Sequence, residues 1–179
     1  MKLLIIFGAP AVGKATVGKL IASQTDFKLF HNHMIMDGVM DLFGVGTLSE
    51  NRLSKLIRTA VIEEAASSGI DLIFTYVWNF GSERGKDNIS IYKDIYESRG
   101  GEVFFIELTA SLLTRVERAD TIDRKEMKAH APNGERVSQL ESALDFHSPR
   151  PFYFDNFLQI DTTNKTAEDT AKQIISIVG

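Results

Sequence analysis

The sequence predicts a three-layer α/β/α fold around a five-stranded, mostly parallel sheet. Three observations carry this. Short apolar runs alternate with segments of helical period, the order expected when each strand returns through a helix to the next. The runs are apolar at nearly every position rather than at alternate ones, as in strands covered on both faces. No repeat, low-complexity tract or linker divides the 179 residues, so one domain over 1–179 is expected.

The first strand is expected over Leu3–Phe7, followed by a helix over Lys14–Gln24 with Val17, Leu20 and Ile21 on one face. A short second strand follows over Phe27–Phe30. Leu48–Ser67 reads as a long helix with Leu53, Leu56, Ile57, Ala60, Val61 and Ala65 on its apolar face, stopped by Ser68-Gly69. Leu72–Val77 is the third strand. Ile91, Tyr92, Ile95 and Tyr96 mark a helix over Asp87–Ser98, ended by Gly100-Gly101, and Val103–Leu108 is the fourth strand. A helix starts over Ser111–Arg118. The stretch 119–134 is polar and irregular, carries Arg124, Lys125, Lys128 and His130, and closes on Pro132-Asn133-Gly134. A helix from Glu135 to about Phe146, a fifth strand over Phe157–Ile160 and a closing helix over Ala167–Val178 complete the chain.

Composition narrows the function. The chain is 44% hydrophobic and 25% charged with a net charge of −4, the profile of an ordinary globular protein. An acidic balance argues against a broad nucleic-acid footprint, which needs many Lys and Arg against phosphates. Without cysteine there is no disulfide, thiolate metal site or Cys nucleophile. The run Leu3–Phe7 is too short for a signal segment, and no stretch approaches the roughly 20 apolar residues of a membrane span. A cytoplasmic protein with a small-molecule partner, and neither nucleic acid nor membrane, is expected.

The most specific motif is G-A-P-A-V-G-K-A-T, Gly8–Thr16. It matches G-x-x-x-x-G-K-[ST] except at the last position, with a buried strand before it and a helix after it. Glycines there let backbone N–H groups converge on phosphates, and the helix N-terminus adds a favourable field. Gly8, Ala11, Val12, Gly13, Lys14, Ala15 and Thr16 are therefore expected to cradle ATP, with Lys14 reaching the β- and γ-phosphates. These features place the sheet in the P-loop NTPase fold. Ala15 stands where a Ser or Thr hydroxyl contacts Mg²⁺, and Thr16 points about 100° away around the helix. The residues that would hold the metal are left unassigned.

From the P-loop outward the whole chain resembles the small-molecule kinase branch of P-loop proteins, which includes shikimate kinase, gluconate kinase, adenylate kinase and chloramphenicol phosphotransferase. It looks closest to shikimate-kinase-like ATP-binding proteins. Gly13–Gly18 is similar to the shikimate-kinase run apart from Ala15, and Leu108–Arg118 looks like the strand-to-lid passage. The resemblance implies that Arg118 covers the adenine, that 119–134 is a lid with Arg124 approaching the transferred phosphate, and that Asp161–Lys165, with Asn164, forms the adenine loop. Arg150-Pro151-Phe152-Tyr153 is similar to the Arg, Pro and Tyr run before the last strand. Trp78-Asn79-Phe80-Gly81 replaces a run of glycines, and Val61 replaces the acidic partner of the helix arginine that Arg58 matches; both departures point away from shikimate as substrate.

The acceptor side is read from the edge where P-loop sheets open. Asp37, after the second strand, is the candidate to accept or orient the substrate hydroxyl proton, with Asp41 as the alternative carboxylate. His31 and His33 share one strand face by a period of two, which suits hydrogen bonding or substrate contact better than zinc, since no third ligand shows. Tyr76 and Trp78 suit an acceptor pocket, although core packing explains Trp78 equally well. Arg58, Arg84 and Arg150 suit an anionic acceptor. Arg115, Arg118 and Arg124 form a basic patch, read as phosphate-binding for Arg118 first; a solvated helix face is the plainer alternative. Together these residues imply MgATP-dependent phosphoryl transfer to a small-molecule hydroxyl. The competing possibilities are a nucleotide-binding regulatory protein or NTPase without an acceptor, favoured by Ala15 and the lack of a carboxylate ending the third strand, and a polynucleotide kinase.

Overall fold

The computed structural model describes residues 1–121 and 130–179. Five strands, β1 (Lys2–Phe7), β2 (Lys28–His31), β3 (Leu72–Tyr76), β4 (Glu102–Thr109) and β5 (Phe157–Asp161), form one sheet in the order β2-β3-β1-β4-β5. Every pairing is parallel. The helices are α1 (Lys14–Gln24), α2 (His33–Phe43), α3 (Leu48–Ser67), α4 (Glu83–Glu97), α5 (Leu112–Ala119), α6 (Gly134–Ala143) and α7 (Ala167–Val178).

The all-apolar strands follow from two cores, one on each face. Leu4 and Ile6 point to the face covered by α1 and α7, where Val17, Ile21, Ala171 and Ile174 pack. Leu3, Ile5 and Phe7 point to the other, against Ile62 of α3 and Ile89, Tyr92 and Tyr96 of α4. A period of two therefore leaves no polar position along β1 from Leu3 to Phe7. The chain fills one side of β1 with β2 and β3 before crossing to β4 and β5, so the crevice at the carboxyl ends opens beside β1.

Local chemistry sets the helix starts. The Thr47 hydroxyl accepts from Glu50 N–H, and Ser82, Ser111, Asn133 and Thr166 cap α4, α5, α6 and α7 in the same way. The Ser82 cap explains why α4 begins four residues before the expected Asp87. Two expectations are corrected. The segment after β2 is helix α2, with Ile35, Met36 and Val39 turned inward, so His31 and His33 do not share a strand face. On α3 the buried face carries Ser54, Ile62, Ala65 and Ala66, while Leu56 is 63% exposed. Among the described residues no helix is long and apolar enough to cross a membrane.

A candidate nucleotide and acceptor site at the carboxyl edge of the sheet

At the end of β1 the backbone turns at Gly8, with φ 138°. A Cβ there would lie 2.1 Å from the Leu108 carbonyl oxygen of β4, so glycine alone lets the loop leave the sheet here. Ala11 takes φ 67°, a strained value for a residue with a side chain. Gly13, at φ 99°, is the N-cap of α1; no side chain caps this helix and its first turn holds no acid. Its N–H groups and the positive end of its dipole thus face the loop, whereas α3 to α7 have theirs bonded to a side chain. Such an end is suited to phosphate oxygens. The Lys14 ammonium donates to the Gly8 carbonyl at 2.9 Å and the Ala9 carbonyl at 2.6 Å, folded over the loop it closes. These residues fit a nucleotide triphosphate. For a metal they offer less: the Ala15 methyl provides no ligand, Thr16 is exposed, and among the described residues no group of three His, Asp or Glu converges.

The loop after β5 is tied to this one. The buried Thr162 hydroxyl lies 3.1 Å from the Val12 carbonyl and 2.9 Å from that of Thr109. Arg118 of α5 donates to the Thr162 hydroxyl at 3.1 Å and to its carbonyl at 2.7 Å. Asp161 accepts from the Thr163 hydroxyl at 2.6 Å and the Thr163 N–H at 2.8 Å. These bonds hold the Asp161 carboxyl below its ordinary pKa. Through Thr162, Arg118 is thus tied to the P-loop; Asn164, two residues after Thr162, is exposed.

Across β1, the start of α2 forms a second polar group. Asn32 N–H donates to the Thr75 hydroxyl at 3.3 Å, and Arg58 Nε donates to Asn32 Oδ1 at 2.7 Å. The Arg58 guanidinium also contacts Met36 Sδ and lies 5.9 Å from the Tyr76 ring centre. Burial pulls the Arg58 pKa below its ordinary value. His33 Nδ1 lies 2.9 Å from Asp37 Oδ1, one helical turn away, with both side chains about three-quarters buried. Asn32, Arg58, Tyr76, His33 and Asp37 are therefore brought to one edge.

Other expected residues fall elsewhere. Trp78 is 1% exposed, its ring stacked 4.7 Å from Phe80 and packed on Phe7 and Phe152; core packing, not pocket lining, accounts for it. Arg150 serves the opposite half of the sheet: it bonds the Ser148 hydroxyl at 2.6 Å, lies 3.7 Å from Glu107, and covers Phe157. Arg115 is 3% exposed and paired with Glu141 at 2.6 Å, a strut between α5 and α6 rather than a phosphate ligand. Arg84 is exposed on α4. Asp41 is 2.7 Å from His130 Nε2. Arg124, with the rest of the expected lid over 122–129, lies outside the described residues.

Sequence reasoning passed over Glu107. It is 1% exposed beside Phe7 in the register of β4, and its Oε2 accepts from Ser148 at 2.6 Å and Gln159 at 2.8 Å. With Ala9, Arg115 and Arg150 it lines a cavity of about 230 Å³ on the β4–β5 side of the P-loop. The one signal for it was a carboxylate inside an apolar run.

Sheet order and loop geometry together give the chain the fold of P-loop small-molecule kinases. No family model matches the chain. It is 27% identical over 180 residues to a shikimate kinase from Caldicellulosiruptor bescii, an alignment covering 99% of this chain and 95% of the relative. Among solved structures, a sugar kinase from Janibacter sp. HTCC2649 superposes with a TM-score of 0.68 at 14% identity, covering 99% of this chain and 94% of that one. Shikimate kinase from Acinetobacter baumannii, in complex with shikimate, gives 0.60 at 16% identity over 98% and 92%.

Proposed function

We propose that this chain transfers the γ-phosphate of ATP to a hydroxyl group of a small molecule. The observation that carries the proposal is the N-terminus of α1, without a side-chain cap behind the Gly8 turn, with the Lys14 ammonium at its mouth. On nucleotide binding Lys14 exchanges the Gly8 and Ala9 carbonyls for phosphate oxygens, which its charge prefers. Arg118 and Asn164, beside Thr162, flank the base, and Arg124 is assigned to the transferred phosphate. Bound Mg²⁺ would offset charge on the β- and γ-phosphates, and Ala15 would offer it no side-chain ligand.

The acceptor is assigned to the space between the P-loop and the start of α2. His31, His33, Asp37 and Tyr76 offer it polar contacts, and the half-buried Arg58 guanidinium suits an acceptor bearing a carboxylate or phosphate. The distant kinship to a shikimate kinase supports a small hydroxylated acceptor without identifying it. A second possibility, a nucleotide-binding regulator or NTPase without an acceptor, is favoured by Ala15 and by the lack of a carboxylate at the end of β3.

Calorimetry of ATP with and without Mg²⁺, on wild type and Lys14→Ala, tests the proposal. Losing a charge-assisted contact costs roughly 1.5–3 kcal/mol, so the variant should bind about 10- to 150-fold more weakly. Metal-indifferent binding would favour the regulatory alternative, and equal affinities would remove the P-loop assignment.

A further inference from the structure

We infer that the outward face of α3 is the two-fold contact of a weak homodimer, in which α3 packs antiparallel to the α3 of a second copy. This contact is independent of the kinase function proposed above.

Helix α3 is 20 residues long, about 30 Å at 1.5 Å per residue, and one side of it stays outside the chain's own packing. Ser54, Ile62, Ala65 and Ala66 are buried, and Arg58 reaches Asn32 from the inner side. At about 100° per residue, Arg52, Leu56, Thr59 and Glu63 fall in one stripe away from Ser54 and Ala65. With Lys55 and Ala60 they line a groove in the surface; Thr59 is half-buried and the other five are exposed. Leu56 is 63% exposed, and Leu48, at the start of the helix, 90%. The stripe advances by four, three and four residues, the spacing of a helix seam that receives a second helix.

Single exposed leucines are ordinary on a surface; the charges around these decide what covers them. The first half of the outward side is basic, with Arg52 and Lys55, and the second half acidic, with Glu63 and Glu64. A helix by itself prefers the reverse, acids near its N-terminus and bases near its C-terminus, and no base stands in the last turn of α3. Nor do these charges support one another within the helix, since no opposite pair among them is three or four residues apart. Glu63 lies 3.7 Å from Arg99 Nη2 in an exposed contact. Arg52 and Lys55 take part in no ion pair among the described residues.

A second copy turns this arrangement into complementarity. With the two-fold axis crossing α3 midway between Leu56 and Thr59, Arg52 comes opposite Glu63 of the second copy, Leu56 opposite Thr59, and Lys55 opposite Ala60. Symmetry makes each contact twice. A parallel pairing would instead set Arg52 against Arg52 and Glu63 against Glu63. One helix pair is a small contact beside the roughly 1,200–2,000 Å² that stable interfaces bury, so the dimer exchanges with monomer.

Sedimentation velocity of the full chain at low salt, over roughly 5–500 µM, tests this. The average mass of wild type should rise with concentration from one chain toward two, and less so at high salt. Arg52→Glu and Glu63→Arg, each alone, should weaken the dimer about tenfold or more, because like charges then meet at both ends of the seam. Mixed in equal amounts, the two variants should dimerise again, since every Glu at these positions then faces an Arg. Arg52→Glu with Glu63→Arg in one chain should dimerise as wild type does. Both positions are exposed, and circular dichroism should find every variant folded. A wild type that stays monomeric throughout, a dimer indifferent to both reversals, or reversed variants that remain apart when mixed overturns the inference.

Discussion

The Thr162 hydroxyl, at the end of β5, reaches the Val12 carbonyl of the P-loop at 3.1 Å across 150 residues of sequence. The same oxygen accepts from Arg118, so one side chain joins the P-loop, the loop after β5 and α5. Replacing it by valine keeps the shape and removes the polar contacts. Thr162→Val should lower stability by roughly 1–3 kcal/mol, the cost of leaving buried partners unmet. It should also weaken ATP binding, because Arg118 loses the 3.1 Å bond to the hydroxyl and keeps only the one to the residue 162 carbonyl. Urea denaturation and calorimetry on one preparation measure both.

Gly8→Ala should be far more damaging than its single methyl suggests. The new Cβ would meet a backbone oxygen at 2.1 Å with φ at 138°, and neither β1 nor β4 can yield without breaking sheet bonds. Strained φ alone costs about 1–3 kcal/mol, so a total loss above about 3 kcal/mol is expected by thermal or chemical denaturation. A variant as stable as wild type would mean that the loop leaves the sheet by another path.

Ala15→Ser supplies the missing hydroxyl at the first turn of α1. Since Ala15 offers no ligand, the serine variant should gain more from Mg²⁺ than wild type does. About tenfold in ATP affinity, or 1.4 kcal/mol, is the expected scale. Titrations with and without Mg²⁺ on both proteins decide it; an unchanged metal effect would mean that this position does not face the metal.

Burial raises the pKa of both Tyr92 and Tyr96, and pushes Tyr96 well above the ordinary phenol range. In the unfolded chain phenols lose their protons near pH 10, while the folded state retains them. The unfolded state then binds fewer protons, so stability is fully present below that pH and declines as pH rises above it. The urea midpoint should fall between about pH 9 and 11. Tyr96→Phe, which also loses the 3.0 Å bond to the Ile70 carbonyl, should start lower and fall less steeply.

The P-loop was legible because its backbone geometry is written in contiguous residues: Gly8, Gly13 and Lys14 each mark one local requirement. The bounds of α1, α3 and α7 were legible for the same reason. Helix α2 was not. The polar His31-Asn32-His33 run looked like an extended edge, although Ile35, Met36 and Val39 already carried a helical period. Long-range polar partnerships were the least visible. Arg115 finds Glu141, and Glu107 finds Ser148 and Gln159, only after the sheet and the α5–α6 pair have assembled. Trp78 shows the reverse error, since an aromatic at a strand end reads as a pocket wall until the slab behind it is seen.

That slab gives the chain its own optical probe. The sequence holds one tryptophan, and α4 comes so close to it that a Cβ on Gly85 would meet the indole nitrogen at 2.6 Å. Phe7, whose ring centre is 5.2 Å from that of Trp78, is the residue directly before the P-loop. Any ligand that shifts the Phe7–Gly8 step alters the packing around a single dry fluorophore. Nucleotide occupancy can therefore be followed by emission from the unlabelled protein, in real time and without an identified acceptor.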